Sequence, residues 1–580
     1  MSFASLVARY TRAPILWSMV AAAILVSTGL GVGFVADDLY HLMILSGART
    51  PAPDGSMFTF AVGDPAVTNE YIRSGPYPWW TLPEVKVVFL RPLSTALHRI
   101  DFALFGTNGV PWHVHAMLWY LAMVGLWGLI ARKILSAPIA ALAPLLFAVD
   151  DAHWMPAVWL ANRNALVACV PVLFALYSHI RWREEGWRPG LPLSVLGYFI
   201  GMWGGEAWLG VSAFVAAYEI AGRNDTLARR AVSLAPAAIC AIAYAVFYKS
   251  MGYGVYGSGV YVEPLTRAYF VEAPNRILSL LGGLLLASPV EIWGFSPESR
   301  WPLAAVGCLG VALFVVLLRR AWPSLEERDR RSLRWLMLGG FLSLLPVIAA
   351  FPMNRLLLTP SLASSAVIAV LLRHWWQHRK IGKVPLGFAY ATLGVIHLVI
   401  APVAWPIQSG VVTLIGRVGH QVYESAPITD AESVNQDVIL LAANDPMTLM
   451  YPPIARYMNG HPLPGSWNPL SASPHDHVFT RTGTKTFELE TEKGALMHSV
   501  FADILRGPEF PFAAGDQVRL RSGTLTVLDA VDGKPRKIGL AYDVPLEDES
   551  LVFLVWLDFR LQRFELPRVG ESVVVRYLSR

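Results

Sequence analysis

The chain has 580 residues, 54% of them hydrophobic and 15% charged, against about 25% charged in an average soluble domain. With a mean hydropathy of +0.44 it cannot cover its surface with charge, so lipid is the expected solvent for much of it, and disorder, collagen-like repeats and coiled coil are excluded. The 47 basic and 42 acidic residues leave a net charge of +5, too balanced to argue for nucleic acid.

In chain order, the first apolar run is Ile15–Val35, preceded by Arg9 and Arg12. At about 21 residues it can cross a hydrocarbon core of about 30 Å. It exceeds the 7–15 residues of a signal-peptide h-region, which favours an uncleaved anchor. A loop covering about 37–112 follows and opens on Asp37-Asp38; it is too long for a simple connector. Within it Pro76–Trp80 has the composition of an interfacial aromatic belt. The stretch Arg91–Phe102, closed by Gly106, has the apolar spacing of an amphipathic helix lying on the outer surface. Further spans are expected at His115–Ile130, Ala137–Val149, Ala165–Ser178, Pro192–Trp203, Trp208–Ile220, Ala231–Phe247, Leu303–Leu318, Trp335–Ala349, Leu357–Leu372 and Val384–Ala404.

Basic residues fall at every second connection: Arg132/Lys133, Arg181/Arg183, Arg223/Arg229/Arg230, Arg319/Arg320/Arg330/Arg331 and Arg373/Arg379/Lys380/Lys383. The positive-inside bias makes those loops and the N-terminus cytoplasmic. Counting Ile277–Ala287 as a span would invert every later loop, so a re-entrant or surface-lying helix is expected there. The result is about eleven spans and a C-terminal domain outside. Residues 1–406 form the multi-pass membrane domain, and 407–580 change to a mixed, charged composition. Alternation in Thr486–Leu489, Gln517–Arg521, Thr524–Leu528 and Glu571–Tyr577, with a hairpin turn at Asp532-Gly533, predicts a mostly β soluble domain. Val438–Ala442 and Pro446–Met458 read as a strand and helix at its start. His475-Asp476-His477, after Pro474, reads as a solvated loop. The three cysteines, Cys169, Cys240 and Cys308, lie in separate apolar runs without CxxC spacing, which excludes a zinc–cysteine site and a disulfide scaffold.

This topology gathers both signs of charge at the outer ends of the spans: Asp37, Asp38, Arg91, Asp101, Asp150, Asp151, His153, Arg163, Glu206, Lys249, Glu263 and Arg355. Ionisable groups near lipid are costly and tend to face a shared cavity. Adjacent helical side chains point roughly 100° apart, so Asp37 and Asp38 cannot easily address one atom. One is free to accept a proton or contact a metal while backbone or a cation holds the other. His113 and His115, two positions apart, point to different helix faces and make no metal pair. Glu206 either orients a cationic site or closes a helix end.

The arrangement resembles the GT-C superfamily of polytopic glycosyltransferases, especially protein O-mannosyltransferases and the transmembrane tetratricopeptide-repeat mannosyltransferases. Asp37-Asp38 after the first span matches the family's acidic pair. Arg91-Pro92-Leu93, Leu104-Phe105-Gly106-Thr107-Asn108 and Trp112-His113 are similar to its surface-helix and second-span motifs. Phe147-Ala148-Val149-Asp150-Asp151-Ala152-His153 through Trp159 and Arg163 resembles its third-to-fourth connection. Glu206 and Arg355-Leu356-Leu357-Leu358-Thr359-Pro360-Ser361 resemble later motifs. The likeness covers about residues 14–405. Asp150-Asp151 stands where the family has His-Pro, Met155 where it often has glutamate, and the C-terminal domain is no repeat array.

The resemblance implies transfer of a sugar, of the hexosyltransferase kind, from a polyprenyl-phosphate donor to an acceptor on the outer leaflet. Asp37 or Asp38 would be the base. Arg163, Arg355, Arg91 and Lys249 would bind the donor phosphate, and Glu206, Asp150, Asp151 and His153 would orient the site. No cofactor is assigned; a divalent cation at Asp37/Asp38 stays open. The acceptor, whether protein, lipid or glycan, stays unidentified. Two alternatives remain: a lipid or glycan transporter or flippase, and a noncatalytic envelope-assembly protein with a GT-C-derived membrane core.

Overall fold

The computed structural model describes residues 13–48, 55–379, 386–443, 446–557 and 560–577. Arg9, Arg12, Lys380, Lys383 and the first residues of the run beginning at Val384 lie outside the described residues. The chain divides into two compact units. One comprises the described residues of Met1–Gly33, Phe89–Tyr253 and Glu263–Val412. The other comprises those of Phe34–Val88, Gly254–Val262 and Thr413–Arg580, so parts of two connections between helices of the first unit belong to the same unit as the C-terminal region.

The first unit is helical. Among the described residues five helical runs are long and apolar enough to cross a membrane: Gly109–Ile134, Leu160–Glu185, Leu227–Ser250, Pro297–Ser324 and Gly387–Ser425. Shorter apolar helices are Pro14–Ser27, Ala137–Val149, Gly190–Met202 and Trp208–Ala221. The predicted runs Trp335–Ala349 and Leu357–Leu372 fall on the helices Glu327–Val347 and Ser361–His378. The first predicted span is helical only to Ser27. There the hydroxyls of Ser27 and Thr28 donate back to Ile24 O and Leu25 O, both at 2.7 Å. Such local bonds compete with helix propagation, and three glycines follow before Phe34.

The segment Ile277–Ala287 belongs to a longer helix, Arg267–Leu286, packed along Arg300–Ala321. Gly307 permits the approach, since a Cβ there would lie 1.8 Å from Leu278 O. Four helices, Pro14–Ser27, Gly109–Ile134, Asn164–Glu185 and Gly190–Met202, line an open apolar cavity of about 490 Å³ whose residues include Met19, Leu121, Gly125, Pro171, Leu196 and Ile200.

The second unit carries the strands. β1 (Thr59–Val62), β2 (Lys86–Val88) and β3 (Gly254–Tyr256) form an antiparallel sheet. β4 (Asp437–Leu440) and the helix Pro446–Met458 fall on the strand and helix read from the sequence, and with β5 (Ser466–Pro469), which that reading did not include, they make a βαβ unit. β6 (His477–Arg481), β7 (Thr486–Thr491), β8 (Gln517–Arg519), β9 (Gly523–Val531), β10 (Lys534–Tyr542) and β13 (Ser572–Val575) form an antiparallel sheet of order β13-β6-β7-β10-β9-β8. β11 (Leu551–Leu557) and β12 (Arg560–Arg563) complete a mixed sheet of order β12-β11-β4-β5. Asp532 and Gly533, at φ +51° and +74°, turn β9 into β10, the conformation that Asp-Gly hairpins favour.

Two expectations are corrected here. Pro76–Trp80 is no interfacial belt: Trp79 and Trp80 are buried in the second unit, and the Trp79 indole donates to Leu470 O at 3.1 Å. His475-Asp476-His477 is no solvated loop either. His477 begins β6, fully buried, its Nε2 2.7 Å from Ser471 Oγ, and burial lowers its pKa to about 4.

Candidate functional site

The Pro92–Phe105 helix begins with Pro92 at its first position and stops at Gly106, the asymmetry expected of helix ends. Its polar residues Ser94, Thr95, His98 and Asp101 are buried, while Ile100, Leu104 and Phe105 are exposed. The start of the helix is tied down: Leu93 N–H donates to Trp203 O at 2.9 Å and Ser94 Oγ to Gly204 O at 2.7 Å. Asp101 pairs with Arg163, 2.6 Å between Oδ2 and Nη1, and both are buried. Its Oδ1 lies 2.8 Å from His115 Nδ1, and the Trp119 indole donates to His115 Nε2 at 3.0 Å. Since Nε2 accepts, the network assigns the proton to Nδ1, which donates to Asp101. Arg163, expected to bind phosphate, is therefore a buried strut joining this helix to the start of Asn164–Glu185. His113 turns to Gly33 O at 3.0 Å.

Arg91 precedes the same helix. Its Nε donates to Glu206 Oε2 at 2.9 Å, and the Tyr248 hydroxyl donates to Oε1 at 3.3 Å. With its amide oriented to satisfy both ends, Asn164 accepts from Arg91 Nη1 at 3.1 Å and Nε at 3.2 Å. The guanidinium lies 4.6 Å from the Phe89 ring centre. Lys249 forms an ion pair with Glu263 on the exposed surface.

A third cluster joins the Asp151–His153 turn to the Asn354–Leu357 turn. Asp150 accepts from Ala152 N–H at 3.1 Å and from Ser361 Oγ at 3.4 Å. Asp151 accepts from Gln408 Nε2 at 3.3 Å; burial, then the charge of Asp150, push its carboxyl up to about 7. Glu291, whose pKa burial also raises, accepts from both the backbone N–H and the side-chain amide of Asn354, at 3.0 and 3.1 Å. His153 is enclosed, its Nδ1 3.0 Å from the Tyr120 hydroxyl.

Arg355 stands apart from the other cations. Its guanidinium lies 5.8 Å from the ring centres of Trp159 and Phe351, and its Nε is buried without a hydrogen-bond partner. Among the described residues no carboxylate comes within 4.0 Å of it. Without coming within 4.0 Å as an ion pair, the Arg355 charge acts on Glu291, working against the rise that burial imposes on that carboxyl. Arg91, Arg163 and Lys249 are each paired with an acid. Sequence reasoning singled out Arg355 but not Glu291, Asn164 or Tyr248, whose partners Asn354, Arg91 and Glu206 lie 42 or more residues away in sequence and leave no local pattern.

In the second unit, Asp37 and Asp38 open the Asp37–Leu45 helix after Ala36, which is held at φ +49°. Such a backbone is costly for a residue with a side chain and tends to occur at functional sites. Asp38 is buried and its Oδ2 accepts from Val35 N–H at 3.1 Å. Asp37 is half-buried and its Oδ1 accepts from the Tyr451 hydroxyl at 2.7 Å. Burial, then the charge of Asp37, push the Tyr451 phenol well above its ordinary range, so it stays a donor. Each carboxylate thus already holds a protein donor, and among the described residues no group of three His, Cys, Asp or Glu side chains gathers to hold a metal ion.

No protein-family model matches the chain, and no curated protein matches it. Among solved structures, the oligosaccharyltransferase AglB of Archaeoglobus fulgidus, in complex with an inhibitory peptide and a dolichol-phosphate, is 12% identical with a TM-score of 0.41, covering 80% of this chain and 66% of that one. The same organism's oligosaccharyltransferase tethered with an acceptor peptide gives 12%, 0.39, 76% and 63%. ArnT of Cupriavidus metallidurans bound to undecaprenyl phosphate gives 11%, 0.40, 77% and 85%. The chain thus spans slightly less than two thirds of the oligosaccharyltransferase's length. At these scores and identities the likeness does not fix a shared fold.

Proposed function

We propose that the protein is a membrane glycosyltransferase that moves a sugar from a polyprenyl-phosphate donor to an acceptor hydroxyl at the extracytoplasmic face. The observation that carries this reading is Arg355: a half-buried guanidinium with no acid within 4.0 Å among the described residues, flanked by Trp159 and Phe351. A buried cation is costly unless something of opposite charge joins it, and a guanidinium fork suits phosphate oxygens. The apolar helices and the cavity lined by Met19, Leu121 and Ile200 have the chemistry of a prenyl chain.

In the reaction the acceptor oxygen bonds to the anomeric carbon as that carbon's bond to the phosphate oxygen breaks, and the acceptor proton passes to a carboxylate. Negative charge grows on the departing phosphate, where Arg355 stabilises it. Asp37 is the assigned base, its geometry set by Tyr451, and Asp38 the companion that fixes the helix start. Arg163 acts through the Asp101–His115 frame rather than by touching phosphate. Arg91 and Asn164 continue the polar surface, and Lys249 is the most exposed cation of the set, paired with Glu263.

The test is Arg355→Ala, assayed for binding of undecaprenyl phosphate and for turnover of a polyprenyl-phosphate-linked sugar. Losing charge-assisted bonds of about 1.5–3 kcal/mol weakens donor binding by roughly 10- to 100-fold. Arg355→Lys should recover part of it. Unchanged donor affinity with a defect only toward acceptor would reject the assignment.

A further inference from the structure

Glu206 has no part in the reaction assigned above. It follows the Gly190–Met202 helix in the turn Trp203-Gly204-Gly205-Glu206, with its side chain 29% exposed. Arg91 Nε donates to one of its oxygens and the Tyr248 hydroxyl to the other. A carboxylate has about four lone-pair sites, so each oxygen retains capacity for a second donor. The turn itself is built for this approach. Gly205 sits at φ +145°, closed to ordinary side chains, and a Cβ there would lie 3.3 Å from Arg91 Cγ.

The surroundings share one chemical character. The half-buried rings of Tyr248 and Tyr253 lie with centroids 5.5 Å apart, and the buried ring of Tyr244 lies 5.5 Å from that of Tyr248. Asn164 and Phe89 flank Arg91. Aromatic faces beside a planar carboxylate, amide and guanidinium suit a saccharide: the C–H face of a pyranose packs on a ring, and neighbouring hydroxyls pair with planar groups that bind two at a time. Neither the helix-end role nor the cation-orienting role foreseen for Glu206 requires those rings.

Spacing links this surface to Arg355. Trp159, beside the Arg355 guanidinium, and Asn164, against Arg91, are five positions apart across the Leu160–Asn162 turn. At about 2 Å of rise per residue in a 3-10 turn, that is about 10 Å, the reach of a sugar joined to a phosphate. We infer that Glu206, with Arg91 and Tyr248, forms the subsite that reads the hydroxyls of the donor's sugar. The inference rests on Arg355 as the phosphate ligand.

The experiment compares the full chain in nanodiscs for binding of undecaprenyl phosphate alone and of undecaprenyl phosphate bearing mannose, glucose or galactose. The wild-type chain should bind at least one sugar-bearing lipid more tightly than the bare lipid. Glu206→Gln should remove about tenfold or more of that increment while bare-lipid binding is unchanged, and Tyr248→Phe should remove a smaller part. If Glu206→Gln fails to fold, the Tyr248→Phe increment decides alone. An increment intact in both variants, or absent from the wild-type chain for all three sugars, overturns the subsite. Equal bare-lipid binding by wild type and Arg355→Ala would instead overturn the phosphate assignment, and it is read from the arm without sugar.

Discussion

Asp151 shows how one side chain ties the fold to pH. Burial and Asp150 raise its carboxyl from 3.8 to about 7, and Gln408 offsets this only in part. In the unfolded chain the group would lose its proton near its ordinary value. Between roughly pH 4 and 7 the folded protein therefore binds more protons than the unfolded one, and stability falls as pH rises through that window, levelling above it. Asn at this position keeps an acceptor for Gln408 and never ionises. Asp151→Asn should melt together with the wild type near pH 4 and several degrees above it at pH 8, each pKa unit being worth about 1.4 kcal/mol. A melting difference that does not change with pH would contradict the raised pKa. The sequence marked Asp150-Asp151 as a departure from its family pattern, but the direction of the shift depends on burial by segments around 291, 354 and 408, which no local reading supplies.

At the scale of elements, helix ends were the most legible features, because caps and periodicity are local. The surface helix after Arg91 was readable from Pro92, its apolar spacing and Gly106; that its buried face would be the polar one was not, since this depends on Arg163, Trp203 and Gly204. The Asp37–Leu45 helix makes the same point. Adjacency separates its two leading carboxylates, and they do diverge, but Tyr451 lies 414 positions from Asp37. Their substitutions should diverge too. Asp38→Asn keeps an acceptor for Val35 N–H, whereas Asp38→Ala strips the bond from a buried helix start and should cost about 1–2 kcal/mol. Asp37→Asn should leave stability near wild type and lower transfer by roughly 100-fold or more, the range of a lost general base. Thermal melts paired with turnover of a lipid-linked sugar separate the two roles; full turnover in Asp37→Asn would remove it as the base.

For the whole molecule, composition marked lipid as solvent and the change near residue 406, because both are averages over long windows. It could not mark that residues 34–88 and 254–262 join the C-terminal region in one unit. That membership is set by pairings such as Lys86 with Tyr256 in the β2–β3 ladder and Leu82 N–H on Leu505 O, which ordinary loop composition conceals. The arrangement nevertheless constrains orientation. We propose from the charge bias that loops rich in arginine, such as the one around Glu326, lie on the cytoplasmic side, and from the expected count of about eleven spans that the C-terminal region lies on the other. In a chain with Cys169, Cys240 and Cys308 replaced, single cysteines at the exposed positions Ala514 and Glu326 test this directly. An impermeant maleimide added to intact cells should label Ala514→Cys and spare Glu326→Cys, with Glu326→Cys reacting only after the membrane is opened. The reverse pattern would place the second unit in the cytoplasm, away from an outer-leaflet donor, and would end the extracytoplasmic transfer reading while leaving the local geometry of Arg355 and Glu206 unchanged.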